Sequence, residues 1–196
     1  MAISEDGYLV MLSSSGDLVK INTKNGQMHW SLNVLEANDS YGTDFFKSSD
    51  IITVDKDIIF ATSSSIFSFN LDNGYLNWKK DIGSKNTPII DGNNVFLVSD
   101  NGYFVNLNKN SGETIWSTNI LKVLKKKKQK TYITGFIMGS GKIYAVSLNG
   151  YLIVCSAVTG NIEYFRKIGD IITTAPIISN GSLYILTEKP RIFGFN

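Results

Sequence analysis

The sequence predicts an all-β chain, a β-propeller of four-stranded blades, on three observations: a repeated glycine-to-aromatic spacing, a short apolar run ahead of each copy of it, and turn residues between the runs. Gly26, Gly74, Gly112 and Gly160 are each followed four residues later by a ring, in NGQMHW (25–30), NGYLNW (73–78), SGETIW (111–116) and TGNIEY (159–164). The steps between these glycines are 48, 38 and 48 residues, a period that suits one blade. Gly16, Gly102 and Gly150 lie ten residues ahead of three of them, and Ser64 holds that place in the second repeat.

Within a repeat the elements follow in order. Pro88 in NTPII and Pro176 in TAPII open a first strand in the third and fifth repeats, a position where a missing N–H is harmless. The second strands are the runs YLVML (8–12), IIFA (58–61), VFLV (95–98), IYAV (143–146) and LYIL (183–186). Unbroken apolar runs of this length predict strands buried on both faces, as stacked blades require. Turns such as DNG (100–102) and LNG (148–150) follow, whose Asn-Gly pairs predict two-residue hairpins. A third strand, YFVNLN (103–108) or YLIVCS (151–156), leads to the glycine turn and a fourth strand carrying the aromatic. The predicted repeats cover about 6–33, 50–82, 87–119, 132–168 and 175–196, read together as a single propeller segment over 1–196.

Composition bounds the chemistry. A chain of 196 residues with 43% apolar residues and 12% aromatics can build a packed core. Its net charge of +2 is uneven: without Lys122, Lys125, Lys126, Lys127, Lys128 and Lys130, 13 basic side chains face 17 acidic ones. The body is mildly acidic, and no nucleic-acid binding is expected, because no stacking aromatics are interleaved with the lysines. A single cysteine, Cys155, allows no internal disulfide or Cys-based zinc site, and a single histidine, His29, allows no His-rich metal cluster. No apolar run is long enough for a transmembrane segment, and the opening MAISEDGYLV lacks the basic n-region of a secretory signal.

The Trp-Asp and Gly-His pairs of WD40 repeats are absent, and so is the double glycine of kelch repeats. NTKNGQMHW (22–30), NLDNGYLNW (70–78), NKNSGETIW (108–116) and SAVTGNIEY (156–164) instead resemble the quinoprotein-type, or PQQ-like, repeat, with Tyr164 in place of Trp in the last. That resemblance implies that Trp30, Trp78, Trp116 and Tyr164 pack between neighbouring blades, their constant place in the repeat arguing against a ligand cage; their indole N–H groups are expected to bond to backbone carbonyls. It also admits a PQQ-dependent oxidoreductase, which would need a quinone, a calcium ion and an Asp base. The nearest thing to a calcium loop, NLNKNSG (106–112), has no carboxylate in first position and no Glu at the required offset, so Asn-rich turn chemistry explains it better. No metal, cofactor or catalytic residue is expected.

Residues 48–116 and 141–196 resemble the BamB family of the outer-membrane β-barrel assembly machinery, in its alphaproteobacterial form, and the ending SLYILTEKPRIFGFN resembles that family's terminus. The resemblance implies a noncatalytic scaffold at the periplasmic face of the outer membrane, a partner of BamA-like POTRA domains, and an eight-bladed ring whose last outer strand comes from the beginning of the chain. Eight repeats need roughly 350 residues, so the chain reads as the last four to five blades. Open ends of that kind predict that the chain either pairs with a second copy through them or is a piece of a longer protein. Another envelope protein-interaction propeller, or a fragment of a quinoprotein oxidoreductase, would share much of this pattern.

Two long connections are the candidate docking elements. NVLEANDSYGTDFFKSSD (33–50) sets Tyr41, Phe45 and Phe46 among Asp39, Asp44 and Asp50, rings for apolar burial with acids to orient a partner, or simply rings packed on a blade edge. LKVLKKKKQK (121–130) presents Lys125, Lys126, Lys127 and Lys128, read either as a solvated insertion or as a contact for acidic protein or anionic lipid. His29, beside Trp30, and Cys155, inside YLIVCS, read as a structural or surface residue and a buried strand residue.

Overall fold

The computed structural model describes residues 1–35, 47–124 and 131–196, which form five antiparallel sheets, the blades of a β-propeller. The first sheet holds β1 (Ala2–Ile3), β2 (Tyr8–Leu12), β3 (Asp17–Asn22) and β4 (Met28–Asn33). The second holds β5 (Ile52–Val54), β6 (Asp57–Ala61), β7 (Ile66–Asn70) and β8 (Leu76–Lys80). In the third are β9 (Ile89–Asp91), β10 (Asn94–Val98), β11 (Tyr103–Asn108) and β12 (Thr114–Asn119), and in the fourth β13 (Ile133–Gly139), β14 (Lys142–Ser147), β15 (Tyr151–Ser156) and β16 (Ile162–Lys167). The fifth has three strands among the described residues, β17 (Ile177–Ser179), β18 (Ser182–Leu186) and β19 (Ile192–Phe195). Strands pair in chain order within every sheet, and the described helical content is one 3-10 turn, Ile120–Leu124. Pro88 and Pro176 stand directly before β9 and β17.

The turns differ from the sequence expectation. The two-residue turns join first to second strands, at Asp55-Lys56, Gly92-Asn93, Ser140-Gly141 and Asn180-Gly181. The Asn-Gly pairs at 101–102 and 149–150 close longer loops instead, in which the glycine has positive φ and the asparagine does not. Ser99 and Ser147 explain the change: each hydroxyl accepts the backbone N–H four residues on, from Tyr103 and Tyr151, and Ser13 does the same for Asp17. A hydroxyl bridging the loop substitutes for the tight backbone turn.

A β-bulge recurs between third and fourth strands in all four four-stranded sheets. Trp30 pairs with Lys20 and Met28 with Ile21, so His29 is the extra residue; Asn77, Ile115 and Glu163 take its place in the later sheets. An extra residue bends the strand and re-aims the side chain beside it. Here that side chain is the aromatic.

Two compact units divide the chain: Met1–Pro88 with Asn110–Gly112, and Ile89–Lys109 with Glu113–Asn196. In the first unit Val10 and Leu18 pack with Ile58, Phe60, Phe67 and Phe69, whose three rings stack at centroid separations of 5.5 to 5.9 Å. In the second unit the described residues pack on both faces of the fourth sheet. Phe96, Val98 and Phe104 of the third sheet meet Ile143, Ala145, Ile153 and Cys155 of the fourth, and Val146, Leu152 and Val154 on the fourth sheet's other face meet Leu183 and Ile185 of the fifth. The second strands of the second and third sheets are buried on both faces. Those of the first and fifth are not: only Val10 of β2 is fully buried, and β18 alternates.

Candidate docking surface

Both predicted docking elements begin at equivalent roots, where a fourth strand runs on towards the next first strand. At each root a backbone N–H donates to the glycine of the Ser-closed loop: Val34 to Gly16 at 2.8 Å, Ile120 to Gly102 at 3.0 Å, and Ile168 to Gly150 at 2.9 Å. Leu35 then lies over Gly16, so close that an added Cβ would come within 2.6 Å of its Cγ, and Leu121 lies over Gly102 in the same way. Each glycine therefore serves twice, for its positive φ and for the approach of the departing chain.

The second repeat reverses the arrangement. Ser64 replaces the loop glycine, the loop is one residue shorter, and Thr62 closes it by accepting from Ser64 and Ser65. Gly83, on the departing chain nineteen residues after Ser64, supplies the space instead by running against the Ser63 carbonyl. In the fourth repeat both positions are glycine, Gly150 facing the backbone of Gly169 and Asp170.

The first root is held by charge as well. The Asp17 carboxylate accepts from Ser15 Oγ at 2.6 Å, Asn33 Nδ2 at 2.8 Å and Ser13 Oγ at 3.2 Å. These bonds, that from Ser15 foremost, hold Asp17 below the ordinary carboxylate range. Asn33 also donates to Ser15 O, and its Oδ1 accepts from Leu35 N at 3.0 Å. On the returning side the Asp50 backbone N–H donates to Thr87 Oγ1, and Thr87 Oγ1 donates to Asp50 Oδ2. Ile51 and Ser49 beside it are buried. Asp50 is exposed; Tyr41, Asp44, Phe45 and Phe46 lie outside the described residues.

At the second root the 3-10 turn buries Ile120 and Leu124 and leaves Lys122 exposed. Beyond it, Thr131 Oγ1 bonds to Asn149 Oδ1 at 3.0 Å and Tyr132 is exposed. Lys125, Lys126, Lys127 and Lys128 lie outside the described residues.

The bulged aromatics meet glycine turns of the following repeat. Trp30 lies on Gly74, Trp78 on Gly112 and Trp116 on Gly160, with ring carbons 3.1, 2.7 and 2.4 Å from where a Cβ would sit. This contact joins the two halves of the sequence pattern, the turn glycine of one repeat receiving the ring of the one before. Trp30 Nε1 donates to Leu71 O at 3.1 Å, as expected, whereas Trp116 Nε1 is buried without a partner, its ring being turned edge-on to Phe104. Tyr164 is half exposed at 47%.

His29 is exposed and 5.5 Å from the Tyr8 ring, and Cys155 is buried, its thiol pushed up to about 12 chiefly by desolvation. Sequence reasoning passed over Lys20, which is buried opposite Trp30 with Nζ 3.4 Å from Asp6 and 4.2 Å from the centre of the Tyr8 ring. A lysine in a predicted third strand was its only sign. Among the described residues no three His, Cys, Asp or Glu side chains are grouped as a metal site, and no helix is long and apolar enough to cross a membrane.

Recurring bulges, ring-on-glycine contacts and two connections rooted alike define a repeat-built propeller. Residues 1–118 match the family model described as outer membrane protein assembly factor BamB, and the chain belongs to that family. It is 24% identical over 193 residues to the assembly factor BamB of Escherichia coli K12, covering 95% of this chain and 47% of that one. With the Legionella pneumophila (strain Paris) BamB it is 21% identical over 192 residues, covering 94% and 47%. The crystal structure of BamB from Moraxella catarrhalis superposes with a TM-score of 0.76 at 18% identity, covering 99% of this chain and 56% of that one. The chain spans about half the length of the curated relatives it matches.

Proposed function

We propose that the chain is a noncatalytic scaffold of outer-membrane β-barrel assembly at the periplasmic face of the outer membrane, docking POTRA domains of a BamA-like partner through its two insertions. Family membership is the observation that carries this reading. The roots give it a physical form: Asp17, Asn33 and Leu35 fix where the first insertion departs, and Ile120, Leu121 and Leu124 fix the second. In this reading Tyr41, Phe45 and Phe46 supply apolar burial, Asp44 and Asp50 orient the partner, and Lys125 to Lys128 meet acidic surface. The test is titration of purified BamA-type POTRA domains against the chain. Phe45→Ala with Phe46→Ala should weaken binding at least tenfold with the circular dichroism spectrum unchanged. Lys125→Ser, Lys126→Ser, Lys127→Ser and Lys128→Ser together should flatten the salt dependence of binding. Equal affinity of all three proteins at low salt would remove the insertions from the interface.

A further inference from the structure

Five Asn-Gly pairs occur in the chain, at 25–26, 73–74, 101–102, 149–150 and 180–181. Such pairs are chemically labile, because a glycine nitrogen, beside a residue with no Cβ, can attack the Cγ of the asparagine before it. The bond from that nitrogen to Cγ forms as Cγ–Nδ2 breaks, and ammonia leaves with the nitrogen's proton. Water then opens the resulting succinimide at either carbonyl. The product is aspartate or isoaspartate, and no oxidant or cofactor enters.

Four of the pairs are locked against this reaction. In each the attacking N–H is already donated to a backbone carbonyl: Gly26 to Asn22 at 2.9 Å, Gly74 to Asn70 at 2.9 Å, Gly102 to Ser99 at 2.8 Å and Gly150 to Ser147 at 2.9 Å. Three of the asparagine side chains are held as well. Asn25 Oδ1 accepts from Gln27 N at 3.0 Å and Asn73 Oδ1 from Tyr75 N at 2.9 Å. Asn149 Oδ1 accepts from Thr131 Oγ1 at 3.0 Å and Ser147 Oγ at 2.7 Å. In the remaining pair, Gly102 is buried beneath Leu121.

The fifth pair differs in each respect. Asn180 and Gly181 form the two-residue turn between β17 and β18, with φ of +50° and +76°, and both are exposed. Among the described residues neither the Gly181 N–H nor the Asn180 side chain has a hydrogen-bond partner, and nothing lies within 4 Å of a Cβ built on Gly181. The matching turns of the second, third and fourth sheets, Asp55-Lys56, Gly92-Asn93 and Ser140-Gly141, are exposed too, so the accessibility belongs to this turn wherever it stands in the propeller. Asp55 takes φ of +51° at the place of Asn180, so the turn accepts the aspartate product.

We infer that Asn180 is a site of spontaneous deamidation, the one Asn-Gly pair that the fold leaves open to succinimide formation. Prolonged warm incubation of the 196-residue chain at mildly alkaline pH, followed by peptide mapping in a mass spectrometer, tests this. In the folded protein position 180 should lose its amide at least tenfold faster than positions 25, 73, 101 and 149, giving both aspartate and isoaspartate. In concentrated urea the five should react at comparable rates, because each asparagine is followed by glycine. Asn180→Gln, whose longer side chain closes a ring far more slowly, should abolish the fast loss. A folded-state rate at position 180 no greater than at the other four would overturn the inference. So would a lead at position 180 that persists undiminished in urea, since the sequence and not the fold would then set it.

Discussion

The second and fifth sheets are written in the same repeat and end in different environments. In the second, Ile58, Ile59, Phe60 and Ala61 run along β6 without accessible surface, and both faces are buried. In the fifth, β18 has an equally apolar run, yet Leu183 and Ile185 are buried while Leu186 is exposed. An uninterrupted apolar strand therefore announces two faces that can be covered. Whether both are covered depends on the neighbouring sheet.

The sharpest way to break this contrast is to truncate one residue on each side of it. Phe60→Ala removes a ring with no accessible surface that stacks on Phe67 and Phe69, and should destabilise the chain by about 3–5 kcal/mol. Ile192→Ala shortens a side chain that is 72% exposed and should stay within about 0.5 kcal/mol of the unaltered chain. Urea midpoints decide it: comparable losses at the two sites would mean that the fifth sheet's open face is covered in solution.

A second pair of substitutions moves the contrast to the turns. Gly26 and Gly160 both have φ of +71°, so alanine at either adopts a left-handed conformation costing about 1–2 kcal/mol. Around Gly26, in the first sheet, nothing lies within 4 Å of the new Cβ, whereas at Gly160 it meets the Trp116 ring. Gly160→Ala should cost about 1–3 kcal/mol more than Gly26→Ala through overpacking, with a matching change in Trp fluorescence. Equal losses would reduce the ring-on-glycine contact to a backbone preference.

The glycine and aromatic spacing made the blades legible, because one physical requirement recurs in each repeat: a left-handed turn that also admits a ring. What the spacing could not show is that the ring belongs to the preceding repeat, since that contact joins residues such as Trp30 and Gly74 far apart in sequence. The turn assignment failed because Asn-Gly was weighed alone. The hydroxyls of Ser13, Ser99 and Ser147, three residues before each glycine, carried the decisive bond and were visible as a pattern. Ser64 looked like a lost glycine, but its counterpart Gly83 lies across the contact, where no periodicity within the loop would reveal it. Of the candidate docking residues, sequence reasoning named ring and charge positions in the insertions. The anchors Asp17 and Asn33 escaped it, because an Asp after a turn glycine occurs in the first repeat alone, with Tyr103 and Tyr151 at that place later.

That difference separates the two roots and makes one of them sensitive to acid. Asp17 has three side-chain donors, and its folded pKa lies below the ordinary value near 3.8. A carboxyl with a depressed folded pKa gives its stabilisation above the unfolded value and loses it as pH falls through the folded one. The first root should therefore hold at pH 5 and loosen below about pH 4, as Ser13, Ser15 and Asn33 lose their charged acceptor. The second root, packed by Leu121 on Gly102 and by buried Ile120 and Leu124, has no carboxylate in these contacts and should not follow. Amide hydrogen exchange at Val34 and Leu35, compared with Ile120 and Leu121 between pH 5 and pH 3 after correction for intrinsic rates, reads the difference. Asp17→Asn should abolish it by leaving the first root equally mobile at both pH values, and parallel loosening of both roots would show that acid acts on the fold as a whole.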